Sequence, residues 1–266
     1  MKALENTTAI ITGASSGIGR GIARLLAREG SHVFITGRDA ERLQKTAEAI
    51  EQDGGLVTTA AFDLRDSDKL QAFVMDTAKA SGHLDIMVNA AGVDLPGTIA
   101  DGKLMDWRDM FDTNVMAVLV GSQAAIRAMR ETQSQGHIVT VSSHAENRVY
   151  GATKSAVKSI CMTLRQELED EPIRVVNIIP GAVATNFGRN FPPEFVNGLL
   201  KSVGVSANFA TGDILPESVI DTLNAQASAV FASPDDIARA VLYAVTQPHD
   251  INVSEVMVGP RKTFPG

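Results

Sequence analysis

The sequence predicts an α/β protein built on one parallel seven-stranded sheet with helices on both faces. Three observations predict it. Short β-branched runs alternate with longer amphipathic stretches along most of the 266 residues. The first such run passes through a glycine-rich turn straight into a helical pattern. Hydrophobic residues make up 44% and charged residues 21%, a balance that can bury a full core.

In chain order the strand candidates are TAIIT (8–12), HVFIT (32–36), LVTTAAF (56–62), LDIMVNA (84–90), HIVTVS (137–142), IRVVNII (173–179) and SEVMVG (254–259). The helical patterns between them cover 17–29, 40–52, 67–80, 105–130, 150–169 and 234–246. Strand, helix and strand repeated in this way require crossovers, hence parallel pairing. Residues 182–232 break the rhythm: they contain NFPPEFVNGLL and an Ala/Ser/Asn-rich stretch without a strand signal. A segment this long is expected to be a lid or a rigid insertion, not a linker. Phe187, Phe191, Phe195, Leu199, Leu200 and Phe209, interrupted by Pro192, Pro193 and glycines, suggest short helices over 186–232 without a complete core of their own.

Composition excludes several classes. Net charge is −7 and no Lys/Arg block interrupts the chain, so nucleic acid and anionic membrane are poor partners. No apolar signal core opens the sequence and no apolar run could span a bilayer, so a cytoplasmic setting is expected. The single Cys161 has no second cysteine to bridge and reads as core filler. The five histidines (32, 83, 137, 144 and 249) lack ligand spacing, so no metal is expected.

The glycine turn reads AIITGASSGIGRGIARLL. Gly13, Gly17 and Gly19 permit the tight turn and let backbone approach a pyrophosphate, which the N–H groups of the following helix then receive. Ser15, Ser16 and Ile18 belong to the same cradle. Placed after the first strand of an alternating chain, the turn signals dinucleotide binding. NAD would call for an acidic residue ending the second strand. That place holds Gly37 followed by Arg38, which leaves room and offers a guanidinium for the 2′-phosphate of NADP(H). Asp39 beside it is expected to cap the next helix. Asp63, with Leu64, follows the third strand, where a carboxylate could meet the adenine amino group or simply shape a turn. Asn89 ends the fourth strand, and Ala90, Ala91 and Gly92 leave space for a flat ligand.

The stretch VSSHAENRVYGATK carries the candidate chemistry. Tyr150 and Lys154, one helical turn apart, share a face, and serines end the strand before them.

With TGASSGIG, NAAG, Asn114 in TNV, VSS, YGATK and PGAVAT in order, the chain resembles the short-chain dehydrogenase/reductase family over nearly its whole length. The resemblance implies a single Rossmann-type domain. It makes Tyr150 the acid/base toward substrate oxygen, with Lys154 lowering the phenol's pKa and holding the nicotinamide ribose. Asn114 would position a water in a proton relay through Lys154. Pro180, Gly181, Val183 and Thr185 would line the cofactor, Thr185 at the carboxamide. The family's pattern favours Ser143 over Ser142 as the serine donor. One departure is the spacing: Ser143 and Tyr150 are only seven residues apart, where about a dozen is usual in the family. The intervening loop carries His144, Glu146 and Arg148, as possible substrate contacts or solvated residues.

The implied function is NADP(H)-dependent interconversion of a carbonyl (aldehyde, ketone or keto acid) and an alcohol. A redox-neutral enzyme such as an epimerase, and a nucleotide sensor, are the alternatives on the same scaffold. Helices 105–130 and 150–169 carry apolar positions beyond one core face, among them Met110, Val118, Val120, Ile160 and Met162. With the resemblance, these imply a homodimer or homotetramer.

Overall fold

The computed structural model describes residues 2–145 and 147–262. Seven parallel strands form one sheet: β1 (Thr8–Thr12), β2 (His32–Gly37), β3 (Leu56–Ala61), β4 (Ile86–Asn89), β5 (Gly136–Val141), β6 (Ile173–Pro180) and β7 (Glu255–Val258). Their order is β3-β2-β1-β4-β5-β6-β7, each pair parallel. The order reverses between β1 and β4, which opens a crevice at the carboxyl ends of the strands there.

Alternation along each strand divides the core between the two faces. Ile11, Ile35 and Val88 face α1 (Gly17–Arg28), α2 (Ala40–Gln52) and α9 (Pro234–Val245), where Ile22, Leu26, Leu43, Ile50 and Val241 meet them. Ile10, Phe34, Met87 and Ile138 face the other layer. There α3 (Ser67–Ser81), α5 (Ala117–Thr132) and α6 (Arg148–Glu167) supply Leu70, Val74, Ala125, Met129, Val157 and Cys161. Cys161 is indeed core. Capping follows the sequence: Asp39 accepts from Arg42 N at 3.0 Å at the head of α2.

Two expectations need correction. The first concerns the apolar face of the helical pattern 105–130, which is continuous but carries a wider turn. It divides into α4 (Leu104–Phe111), a π-helical turn at Asp112–Met116, and α5. The wider turn shifts the phase of the face that follows it. Met110, ahead of that turn, and Val118, after it, are both buried in the subunit's own core. The exposed apolar side chains of this side are Leu104, Met105, Phe111, Met116, Leu119 and Met162.

The second concerns the insertion. One parallel bridge, Val183↔Ala232, closes its base. Between these points run a 3₁₀ turn (Asn186–Asn190), α7 (Pro193–Ser202) and α8 (Glu217–Gln226). They enclose a small apolar cluster of their own, with Leu200, Val203, Leu215, Ile220 and Leu223 buried and Phe209 packed against it. The segment thus has a satellite core, drawn from α7, α8 and the loops around them.

Candidate active site

A cleft of about 920 Å³ lies along the carboxyl ends of the strands. Its floor at one end is the glycine turn. Gly13 (φ +70°) and Gly17 (φ +54°) hold backbone that side chains rarely adopt. Closeness matters as much as torsion: a Cβ on Gly19 would lie 2.5 Å from Gly13 O, and one on Gly13 would lie 2.7 Å from Ala91 Cα. Packing this tight brings the N-terminus of α1 to the cleft surface, where its free N–H groups can receive a pyrophosphate.

Gly37 stands over Ser15, so that a Cβ there would meet Ser15 Oγ at 3.0 Å. Arg38 follows, exposed and lining the cleft. Ser16, Ile18, Leu64, Ala90, Gly92, Pro180, Gly181, Val183 and Thr185 line it too. Glycine cradle, adjoining cation and flat Ala-Ala-Gly wall together fit a phosphorylated dinucleotide.

Two expected cofactor contacts are otherwise engaged. Asn89 lies under the cleft wall and gives its amide to Ser122 Oγ at 3.1 Å. Asp63 lines the cleft, but Arg65 Nη2 holds its carboxylate at 2.7 Å and keeps its pKa below the usual value.

At the other end the helix dipeptide pattern brings Tyr150 and Lys154 to the wall as expected, both buried. The Ser143 side chain lies beside the Tyr150 phenol and favours its ionised form. Ser142 instead points its hydroxyl at Ile178 O, 3.3 Å away. The short loop reaches its helix by two local devices. Ala145 N donates to Ser143 Oγ at 3.0 Å, a serine turn, and Arg148 takes a left-handed conformation at φ 60°. His144 and Arg148 line the cleft, while Glu146 lies outside the described residues.

Burial dominates the protonation of the pair. It pushes the Tyr150 phenol up to about 12, against the smaller lowering effect of the neighbouring Ser143 side chain. It brings Lys154 down to about 8. Lys154 Nζ donates to Val141 O at 2.9 Å and sits 5.8 Å from the centre of the Tyr150 ring. The phenol's shift is therefore upward, not downward as the nearby lysine suggested, and loss of hydration is its largest cause.

Asn114 lies in the π-helical turn and is fully buried. Its Oδ1 accepts from Val93 N at 2.8 Å, and its Nδ2 donates to Val93 O at 2.9 Å and to Thr153 Oγ1 at 3.1 Å. It does not line the cleft itself. A Cβ on Gly92 would sit 3.4 Å from both Asn114 Oδ1 and Lys154 Nζ, so these two groups face one another across a glycine.

Comparison with known proteins decides the family. Residues 7–194 match the family described as short chain dehydrogenase. The chain is a member of the short-chain dehydrogenase/reductase family. An uncharacterized oxidoreductase of Staphylococcus aureus strain USA300 is 33% identical over 98% of this chain and 100% of its own length. Among solved structures, a metagenomic short-chain oxidoreductase in complex with NADP is 29% identical with a TM-score of 0.74, covering 97% of this chain and 99% of that one. A short chain dehydrogenase from Burkholderia cenocepacia in complex with NADP is 28% identical with a TM-score of 0.76, covering 97% and 98%.

This dehydrogenase/reductase also places in its site residues that motif reading did not single out. Asp94 is buried on the cleft wall, 3.3 Å from Arg148 Nη2. Burial raises its pKa. Thr153 supports both Asn114 and Tyr150, donating to Tyr150 O at 2.7 Å. The insertion adds Phe187, 5.4 Å from the Tyr150 ring between centroids, and Phe191, over which Arg148 lies at 5.7 Å. Apart from the Thr153–Tyr150 contact within α6, these contacts join segments distant in sequence, which no spacing rule signals.

Proposed function

We propose that the protein is an NADP(H)-dependent oxidoreductase that interconverts a carbonyl compound and its alcohol. The observation that carries the reading is the meeting of Ser143, Tyr150 and buried Lys154 on the wall of a cleft that presents Gly37 and Arg38 at its other end. Bound NADPH would supply the hydride that reduces the carbonyl carbon.

The rest of the chemistry falls to this chain's own side chains. Tyr150 donates its proton to the substrate oxygen as that oxygen gains charge. A phenol held near 12 stays protonated at neutral pH and is ready to act as acid. Ser143 steadies the same oxygen with a second hydrogen bond. Lys154, with a pKa of about 8, is mostly an ammonium at pH 7, and it stabilises the phenolate that remains after transfer. Asn114 holds the 93 peptide at both ends and keeps Lys154 facing it, which would serve a relay water between them. In oxidation the roles reverse and the phenol must first ionise.

The 186–232 insertion acts as the substrate lid. Phe187, Phe191, Phe195 and Leu199 line the cleft from it, so the substrate has an apolar body beside its reacting carbonyl. Exposed Phe111, Met116, Leu119 and Met162 form the contact of a homodimer, the unit from which a tetramer is built.

A panel of aldehydes, ketones and keto acids with NADPH and NADH at equal concentration tests the assignment. Arg38→Ala should lower kcat/KM with NADPH by roughly tenfold or more relative to NADH, as befits loss of a charge-assisted phosphate contact. An unchanged NADPH/NADH ratio in that variant would sink the cofactor assignment.

A further inference from the structure

Arg189 occupies an unusual place for a cation. It lies in the 3₁₀ turn of the insertion and lines the same cleft as Arg38. Its backbone is pinned on both sides. Gly212 N donates to Arg189 O at 2.7 Å, and Asn186 clamps Leu215 through both amide atoms, Nδ2 to Leu215 O at 3.0 Å and Oδ1 from Leu215 N at 2.7 Å. Its own Nη1 donates to Asn186 O at 3.0 Å, which fixes the stem of the side chain.

Among the described residues Arg189 forms no ion pair, although it is half-buried. The charges that bear on it are Arg38 and Arg42, and together with burial they pull its pKa below that of an ordinary arginine. Asp63, whose charge bears on Arg38, is already paired with Arg65, and Glu217 on α8, whose charge bears on Arg42, with Arg20 of α1. That pair also ties the insertion to the glycine-turn helix, so Arg189 is carried at a fixed distance from the cofactor end. Guanidiniums gathered where the nearby carboxylates are already paired repel one another until an anion arrives. A phosphate dianion presents three oxygens and suits forked donors from more than one side.

We propose that Arg189 is a second reader of the 2′-phosphate, delivered by the 186–232 insertion, so that NADP(H) holds this insertion over the cleft more strongly than NAD(H) does. The proposal rests on the NADP(H) reading of Gly37 and Arg38. The pyrophosphate is a different target: it belongs to the N–H groups of the glycine turn, whereas Arg38 and Arg42 follow β2.

The test is equilibrium binding of NADPH, NADH and 2′-AMP to the full chain, for wild type, Arg189→Ala, Arg189→Gln and Arg38→Ala. Both Arg189 variants should weaken NADPH and 2′-AMP by roughly tenfold to a hundredfold while NADH stays within about twofold. In the wild type, NADPH should protect the amides of 186–232 from hydrogen exchange more than saturating NADH does, and Arg189→Gln should erase that difference. Unliganded melting temperatures show whether the variants are folded. Loss of NADPH and NADH affinity in equal measure, or of neither, overturns the proposal. If Arg38→Ala discriminates between the cofactors and the Arg189 variants do not, this inference falls and the cofactor reading stands. If Arg38→Ala fails to discriminate as well, both fall.

Discussion

Replacing Lys154 by methionine should change the pH dependence of stability in a way that can be worked out from its burial. The side chain is buried, and its pKa falls from 10.5 to about 8. Between those values the unfolded chain holds the proton that the folded chain has released, so raising the pH favours the fold. At pH 7 both states are charged, and the folded ammonium costs about 3 kcal/mol relative to the unfolded one. At pH 10 about 1 kcal/mol of that cost remains. Methionine has no such dependence. It does leave Val141 O without the donor now 2.9 Å away, but that loss is the same at every pH. Urea unfolding of both proteins at pH 7, 8, 9 and 10 should therefore show wild type gaining about 2 kcal/mol on Lys154→Met across the series. Turnover of the variant should be lost throughout. Parallel stability profiles would refute the claim that Lys154 is buried at the expense of its charge.

Further outcomes follow from the same geometry. Tyr150→Phe should keep NADPH affinity and lose about 10²–10⁴-fold in kcat, since it removes only the proton-transfer group; retention of a large fraction of kcat would refute its role as acid. In wild type the alcohol-oxidising rate should rise with pH, because the phenol is held near 12, while carbonyl reduction should be flat to about pH 8 and then decline as Lys154 discharges. Gly37→Asp should disfavour NADPH over NADH, because its side chain presses on Ser15 at 3.0 Å and repels the phosphate; equal effects on both cofactors would argue against a 2′-phosphate beside Gly37. Met116→Glu with Met162→Glu should give monomers by sedimentation, whereas a wild type already monomeric at micromolar concentration would refute the dimer contact.

The strands, the glycine turn and the Tyr150–Lys154 pair were legible because each is written in adjacent residues with its own periodicity. Sequence order even located the insertion, by the absence of a strand pattern after β6. What escaped depends on longer-range effects. Periodicity does not say which apolar side of a helix meets its own core, and Met110 and Val118, assigned to a partner face, are buried in that core. The shift of Tyr150 was expected downward from the nearby lysine, yet its direction is set by dehydration, which only the packing of the cleft reveals. Asp94 meeting Arg148, and Arg189 approaching Arg38, join residues far apart in sequence. Of the two serines weighed, Ser142 gives its hydroxyl to Ile178 O of β6, while Ser143 lies beyond the strand beside Tyr150.

The central claim is that this cleft moves a hydride from NADPH to a carbonyl carbon while Tyr150 supplies the proton. NADPH carrying deuterium on the transferable C4 position, used with any carbonyl that the panel shows to be turned over, tests it directly. Mass spectrometry of the alcohol should find one deuterium on the carbinol carbon per NADPH oxidised, with no such product from Tyr150→Phe. An alcohol without deuterium, or substrate conversion without net loss of NADPH, would contradict the account and favour redox-neutral chemistry.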